Sequence, residues 1–286
     1  MWRSLLFVPV LNERLVAGAV NRGADAVVLD LEAAVPQDRK QEARAKLPAV
    51  IAKLKAAGAE VAVRVNTLCT VGVDDIAVAL RAGADLIALP QATIRSTRQA
   101  ADLAGATPLI PLIESPRGVM DALDIAETAS NIAGLGLGVE DYSLAMGAPP
   151  TQELLVPAAF QVIQAARAVG CEPLIIPDTI ADYGDLPRFE AAARKAKALG
   201  AAGSFAIHPA QVGILNKVFT PSEEERQEAQ EIIALAQKAA QTGSALAARN
   251  DTMIDAPIVE RARKVLVLWQ RFADPSSPAK SLKART

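Results

Sequence analysis

Histidine, cysteine and aromatic residues are scarce in this 286-residue sequence. One histidine, His208, and two cysteines, Cys69 and Cys171, make neither a Cys/His zinc site nor a CxxC pair or disulfide framework. Any bound metal must therefore be held mainly by oxygen. Aromatic residues are 3% of the chain, too few for base-stacking platforms. Neither sign of charge is in excess: 30 Lys and Arg face 32 Asp and Glu, a net charge of −2. The basic surplus of a nucleic-acid binder is missing. Long apolar runs are missing too. Val27–Leu29 and Leu109–Ile113 fall far short of the ~20 residues that span a bilayer. The apolar N-terminal stretch runs into Asn12, Glu13 and Arg14 rather than a small-residue cleavage site, which predicts a cytoplasmic protein. No GxGxxG follows the first apolar run and no GxxxxGK[ST] occurs, so neither common phosphate-cradling turn is present.

What is present is an alternation of short apolar runs with longer Ala-rich amphipathic ones. The apolar runs are Ser4–Val8, Ala26–Leu31, Val61–Val65, Leu86–Leu89, Pro108–Ile113, Gly134–Val139, Pro173–Ile176 and Ser204–Ile207. Each reads as a parallel strand buried on both faces. Helix-like segments lie between them: Asn12–Arg22, Asp38–Ala57, Asp74–Ala82, Ile94–Leu103, Gly118–Ala129, Val156–Val169 and Asp185–Leu199. The near repeats Arg22-Gly23-Ala24-Asp25 and Arg81-Ala82-Gly83-Ala84-Asp85 place a helix-ending glycine just before a strand. Eight βα units in roughly 210 residues predict a TIM (β/α)8 barrel. A doubly wound sheet needs no eighth strand and usually carries a Gly-rich first turn. The barrel is expected over residues 1–220. A helical extension follows over 221–273, with helices from Ser222 to about Ala240 and from Ile258 to Phe272, and a loop over Gln241–Pro257. The Pro-, Ser- and Lys-rich tail, 274–286, is expected to be disordered.

Barrel enzymes build their sites at the C-terminal ends of the strands. Those ends read Asp30-Leu31-Glu32, Arg64-Val65-Asn66, Glu114-Ser115-Pro116-Arg117, Gly138-Val139-Glu140-Asp141, Pro177-Asp178 and His208-Pro209. Several carboxylates thus converge on one rim, where they repel one another and resist desolvation. A hard divalent cation is the usual remedy, and Mg2+ takes one or two carboxylates plus water and substrate oxygens. No strand end carries lysine, which argues against a Schiff-base aldolase and favours metal-assisted enolate chemistry. Arg64 either grips a carboxylate or keto-acid oxygen or pairs with Glu32 or Asp30. His208 is either a general base or a hydrogen-bonding support. Cys69 and Cys171 read as packing residues. Gly134, Gly136 and Gly138 would let a ligand approach the backbone closely.

Seven ordered phrases carry a family resemblance: Arg3-Ser4-Leu5-Leu6-Phe7-Val8-Pro9, Asp25 to Glu32, Arg64-Val65-Asn66, Leu112-Ile113-Glu114-Ser115, Glu140-Asp141, Ile207-His208-Pro209-Ala210-Gln211 and Met253-Ile254-Asp255-Ala256-Pro257. Over about residues 3–272 the chain resembles the citrate lyase β-subunit-like CoA-ester lyases of the HpcH/HpaI aldolase group. The resemblance implies Mg2+ ligands at Glu114 and Asp141, with Mn2+ fitting the same oxygens. It implies a substrate-binding arginine at Arg64, a catalytic glutamate at Glu32, and CoA contacts at Phe7 and Arg14. It implies that Asp255 reaches the site from a neighbouring subunit of a homotrimer or hexamer and exchanges a proton there. Three positions depart from the family pattern. Ala33 stands for a usual Asp, Val10 for Gly and Gln91 for Lys, all around the mouth.

The implied reaction is Mg-dependent cleavage of a β-hydroxyacyl-CoA, of malyl-, citramalyl- or citryl-CoA type, to a 2-keto acid and an acyl-CoA. Two other readings stand beside it: a class II aldolase acting on free hydroxy-keto acids with the same carboxylates, and a non-catalytic or carrier-dependent subunit of a citrate lyase-like complex.

Overall fold

The computed structural model describes residues 1–241, 247–249 and 252–273. Eight parallel strands alternate with helices: β1 Ser4–Pro9, α1 Glu13–Ala19, β2 Ala26–Asp30, α2 Lys40–Ala56, β3 Val61–Arg64, α3 Gly72–Arg81, β4 Leu86–Leu89, α4 Ile94–Ala104, β5 Leu109–Ile113, α5 Pro116–Met120, α6 Ala122–Ala126, β6 Gly134–Leu137, α7 Val139–Met146, α8 Gln152–Val169, β7 Glu172–Leu174, α9 Leu186–Leu199, β8 Ser204–Ala206 and α10 Pro209–Phe219. The strand order runs β7-β6-β5-β4-β3-β2-β1-β8. The ring closes between the end strands: the Ile175 N–H donates to Gly203 O at 2.9 Å and the Ala202 N–H to Pro173 O at 2.8 Å. This is the TIM-barrel architecture that the eight apolar runs predict.

The chain divides into two compact units, Met1–Phe219 and Thr220–Thr286. In the second, α11 (Glu223–Gln241) packs on α12 (Ala256–Phe272), with the Arg226 guanidinium 5.0 Å above the Trp269 ring. The segment expected to be a loop holds a short antiparallel pair, β9 (Ala247–Arg249) and β10 (Thr252–Ile254). The tail 274–286 lies outside the described residues. Among the described residues no helix is long and apolar enough to cross a membrane.

Two hydrophobic clusters divide the strand residues by parity. Leu5, Val28, Ala62, Leu86, Ile110, Leu112, Leu174 and Phe205 fill the barrel, with Trp2 before β1 at its N-terminal end. Leu6, Val27, Leu29, Val61, Val63, Ile87 and Leu109 pack outward under the helices. Successive strand side chains point to opposite faces, so the residue two beyond the last interior one also faces inward. On β1, β2, β3 and β5 those positions are Phe7, Asp30, Arg64 and Glu114.

Several helices differ from expectation. The segment Gly118–Ala129 is two helices, α5 and α6, broken at Asp121 (φ −92°, ψ 8°). Helix α8 starts four residues early, at Gln152, and carries Pro157 past its first turn, where the missing N–H forgoes a bond to the Glu153 carbonyl. Helices α7 and α10 were not anticipated. Each begins directly at a strand end, so no polar linker separates apolar strand from amphipathic helix.

Candidate active site

The C-terminal rim is organised around a buried ion pair. Asp30 and Arg64 are register partners on β2 and β3. The Arg64 Nε donates to Asp30 Oδ1 at 2.9 Å and Nη2 to Oδ2 at 2.7 Å. The same two oxygens accept from the Glu32 N–H at 2.8 Å and the Ala34 N–H at 2.9 Å. Asp30, 2% exposed, is thus fully engaged and is a scaffold group. Arg64 lies 4.3 Å above the Phe7 ring, which stacks on Phe205 at 5.1 Å. Its remaining Nη1 stands 3.3 Å from Glu32 Oε2. Burial pulls its pKa down, but the Asp30 hydrogen bonds and the surrounding carboxylates more than reverse this. Both ion pairs considered for Arg64 therefore form, and Nη1 carries the looser contact.

Glu114 follows β5 and is 8% exposed. Its Oε2 accepts the Gln91 N–H at 2.7 Å. Gln91 makes that bond from φ +48°, the only left-handed non-glycine among the described residues. Gln91→Gly should stabilise the protein by about 1 kcal/mol, and Gln91→Val should destabilise it by a similar amount. Denaturant melts of both variants check this, and equal shifts of one sign would contradict it.

Burial pushes the Glu114 carboxyl up to about 7; the Gln91 hydrogen bond opposes this, the charges of Glu32 and Asp141 add to it, and Arg64 pulls the other way. The folded carboxyl thus keeps its proton well above the ordinary 4.5 at which the unfolded chain releases it. Its stabilising contribution is present below the unfolded value and is lost as pH rises through the folded one, by about 3 kcal/mol in all. In EDTA, the wild type should therefore lose more stability between pH 5 and 8 than Glu114→Gln does. Identical pH profiles for the two proteins would refute the assignment.

Glu32 is half-buried, and burial raises its carboxyl, with Arg64 opposing and Asp30 and Asp141 adding. Asp141 is exposed in the first turn of α7, near enough for its charge to act on both glutamates. Among the described residues, Glu114 Oε1 and both oxygens of Asp141 accept no hydrogen bond. No three His, Cys, Asp or Glu side chains among the described residues converge into a metal cage. Two mutually repelling carboxylates with unclaimed oxygens suit a cation that takes the rest of its shell from water and substrate, as Mg2+ does.

The other rim acids do not join this group. Asp178 is paired with Arg188 at 2.5 Å and 3.0 Å, and Glu140 accepts from the Thr179 hydroxyl. His208 stacks on Tyr183 at 4.9 Å, and its Nδ1 accepts the Ala210 N–H at 3.2 Å. Cys171 is buried, and burial pushes its thiol up to about 12, so it is inert; Cys69 is exposed. Arg14 is exposed on α1, without a polar partner among the described residues. Asp255 belongs to the second unit, where its Oδ1 caps α12 through the Ile258 N–H at 3.2 Å. The β6 glycines and Gly138, which follows the strand, serve close packing of protein on protein. A Cβ on Gly136 would lie 2.6 Å from Leu112, and one on Gly138 would lie 2.5 Å from Glu114 Cγ. The expected approach of a ligand is not what the first two positions accommodate.

The model of the HpcH/HpaI aldolase/citrate lyase family matches residues 3–209. The chain belongs to that family. Citrate lyase subunit beta of Escherichia coli is 32% identical over 280 residues, 92% of each chain. The (3S)-malyl-CoA thioesterase of Cereibacter sphaeroides is 31% identical over 277 residues, 95% of this chain and 96% of the relative. Among solved structures, the citrate lyase beta subunit from M. tuberculosis, complexed with oxaloacetate and magnesium, is 26% identical. It superposes with TM-score 0.67 over 77% of this chain and 97% of that one. This family member is a carbon–carbon lyase of the oxo-acid type.

Proposed function

We propose that this lyase reversibly cleaves a β-hydroxyacyl-CoA to a 2-keto acid and an acyl-CoA, with Mg2+ held by Glu114 and Asp141. The observation that supports it most is the constellation of Glu32, Arg64, Glu114 and Asp141 on one rim. When bound, the cation supplies positive charge where oxygen charge grows as the carbon–carbon bond breaks. Arg64, already fixed on two sides, holds the carboxylate end of the acyl group. The Glu32 carboxylate accepts no backbone hydrogen bond among the described residues and is the one fit to accept the hydroxyl proton. As that proton leaves, the oxygen forms the keto group and the C–C bond pair passes to the acyl-CoA enolate. A proton returned to the enolate carbon completes the turnover. Asp255 is the proposed donor. Its Oδ1 caps α12, which leaves Oδ2 for transfer into the site of a neighbouring copy in a homotrimer or hexamer. Phe7 and Arg14 are proposed to meet the CoA moiety at the mouth.

The relatives favour two further outcomes. The Escherichia coli protein is named a subunit, which fits a chain that meets its acyl group on a carrier protein. The Cereibacter sphaeroides protein is named a thioesterase, which would release free thiol. Malyl-, citramalyl- and citryl-CoA with Mg2+, assayed for 2-keto acid and for free thiol, separate these. Metal-dependent keto acid without thiol is expected. Thiol without keto acid would indicate hydrolysis. Silence on every ester would leave the carrier-bound substrate, or free hydroxy-keto acids.

A further inference from the structure

We propose that Lys40 is a positioning residue of this site: from the first residue of α2 its ammonium clamps the Leu31 and Glu32 carbonyls and so holds the Glu32 carboxylate against Arg64. Lys40 Nζ donates to Leu31 O at 2.8 Å and to Glu32 O at 2.6 Å. The amides of the same loop go elsewhere, the Glu32 and Ala34 N–H groups to Asp30 and the Val35 N–H to Glu32 O at 3.2 Å. Asn66 Nδ2 gives Leu31 O a second donor at 3.0 Å, whereas among the described residues Glu32 O has only the longer Val35 contact besides Lys40. Without the ammonium, the Leu31 carbonyl would keep Asn66 but the Glu32 carbonyl would keep only the 3.2 Å Val35 contact among the described residues.

The placement of Lys40 argues for a role beyond local structure. A cation at the first residue of a helix opposes the helix dipole, and α2 gains nothing from it there. Lys40 is also drawn in from solvent, and burial holds its pKa below the ordinary lysine value. A long stem reaching back from a helix start to two consecutive carbonyls fixes the peptide before and the peptide after the Glu32 α-carbon. That sets where the side chain leaves the backbone. The structural half of the proposal stands on these bonds; the catalytic half rests on Glu32 acting as proposed above.

Lys40→Met keeps the stem and removes both hydrogen bonds; Lys40→Arg restores two donors. Amide exchange over residues 32–35 of the full chain, without substrate, should rise about tenfold in Lys40→Met while 61–66 stay protected. With Mg2+ and the productive CoA ester, kcat should fall about 10- to 100-fold at nearly unchanged KM, and Lys40→Arg should recover most of it. Unchanged exchange, unchanged kcat, or a Lys40→Arg variant no better than Lys40→Met would each overturn the proposal. If the wild type itself cleaves no ester, the CoA-ester substrate is wrong, and the exchange measurement still decides the clamp. If Lys40→Met does not fold, the same exchange and kcat criteria apply to Lys40→Gln.

Discussion

Glu114→Gln and Asp141→Asn should each lower turnover by about three orders of magnitude or more, with the fold intact. The charge, not the shape, is what these substitutions remove. Glutamine at 114 keeps an oxygen for the Gln91 N–H, and asparagine at 141 keeps a short polar side chain in the first turn of α7. A thousandfold loss corresponds to about 4 kcal/mol of transition-state stabilisation, within what a metal-bound charge contributes to carbonyl chemistry. Stability should move the other way at position 114. A carboxylate 8% exposed beside Glu32 and Asp141 resists ionisation, and the amide does not ionise. Above pH 7 without metal, Glu114→Gln should therefore melt at or above the wild type. Calorimetric Mg2+ titration alongside kcat gives the check. A variant that retains a tenth of wild-type activity, or binds Mg2+ unchanged, would remove that residue from the metal site.

Fold and site were legible in the sequence to different depths. The eight strands announced themselves because a parallel strand covered on both faces is apolar throughout. The helices that escaped detection, α7 and α10, start where a strand stops, so no break in hydropathy marks them. The glycines of β6 looked like room for a ligand because sequence shows that a side chain is missing, not what fills the gap. Here Leu112 and Phe205 fill it at Gly136. Among the site residues, Glu32, Arg64, Glu114 and Asp141 were visible as charges at strand ends. Their division of labour was not. Asp30 and Glu32 are equivalent on paper, yet Asp30 is consumed by Arg64 and two amides while Glu32 keeps a looser contact. The supports were invisible for a further reason. Gln91 acts through a backbone N–H at an unusual φ, and Lys40 reaches the loop from the helix after it. Neither backbone conformation nor the path of a long side chain is written in residue type.

Gly138→Ala should cost about a hundredfold in kcat/KM, and the loss should travel through Glu114. Gly138 has φ −85° and ψ 92°, a conformation alanine adopts freely, so no backbone strain enters. The obstacle is space. The added Cβ would sit 2.5 Å from Glu114 Cγ and 2.8 Å from its Oε1. Glu114 cannot simply swing away, because it is buried and its Oε2 is held by the Gln91 N–H. It must give up that bond, leave its rotamer, or push β6 outward, and overpacking of this kind costs about 1–3 kcal/mol. Each response displaces Oε1, the oxygen proposed to meet the cation, and displacements near 1 Å are worth about a hundredfold at a reacting centre. A double-mutant cycle with Glu114→Ala, read as stability, isolates the path. Alanine has no Cγ to collide, so Gly138→Ala should destabilise the protein clearly less in that background than in the wild type. Equal losses in both backgrounds would place the damage in β6 packing rather than in the aim of Glu114.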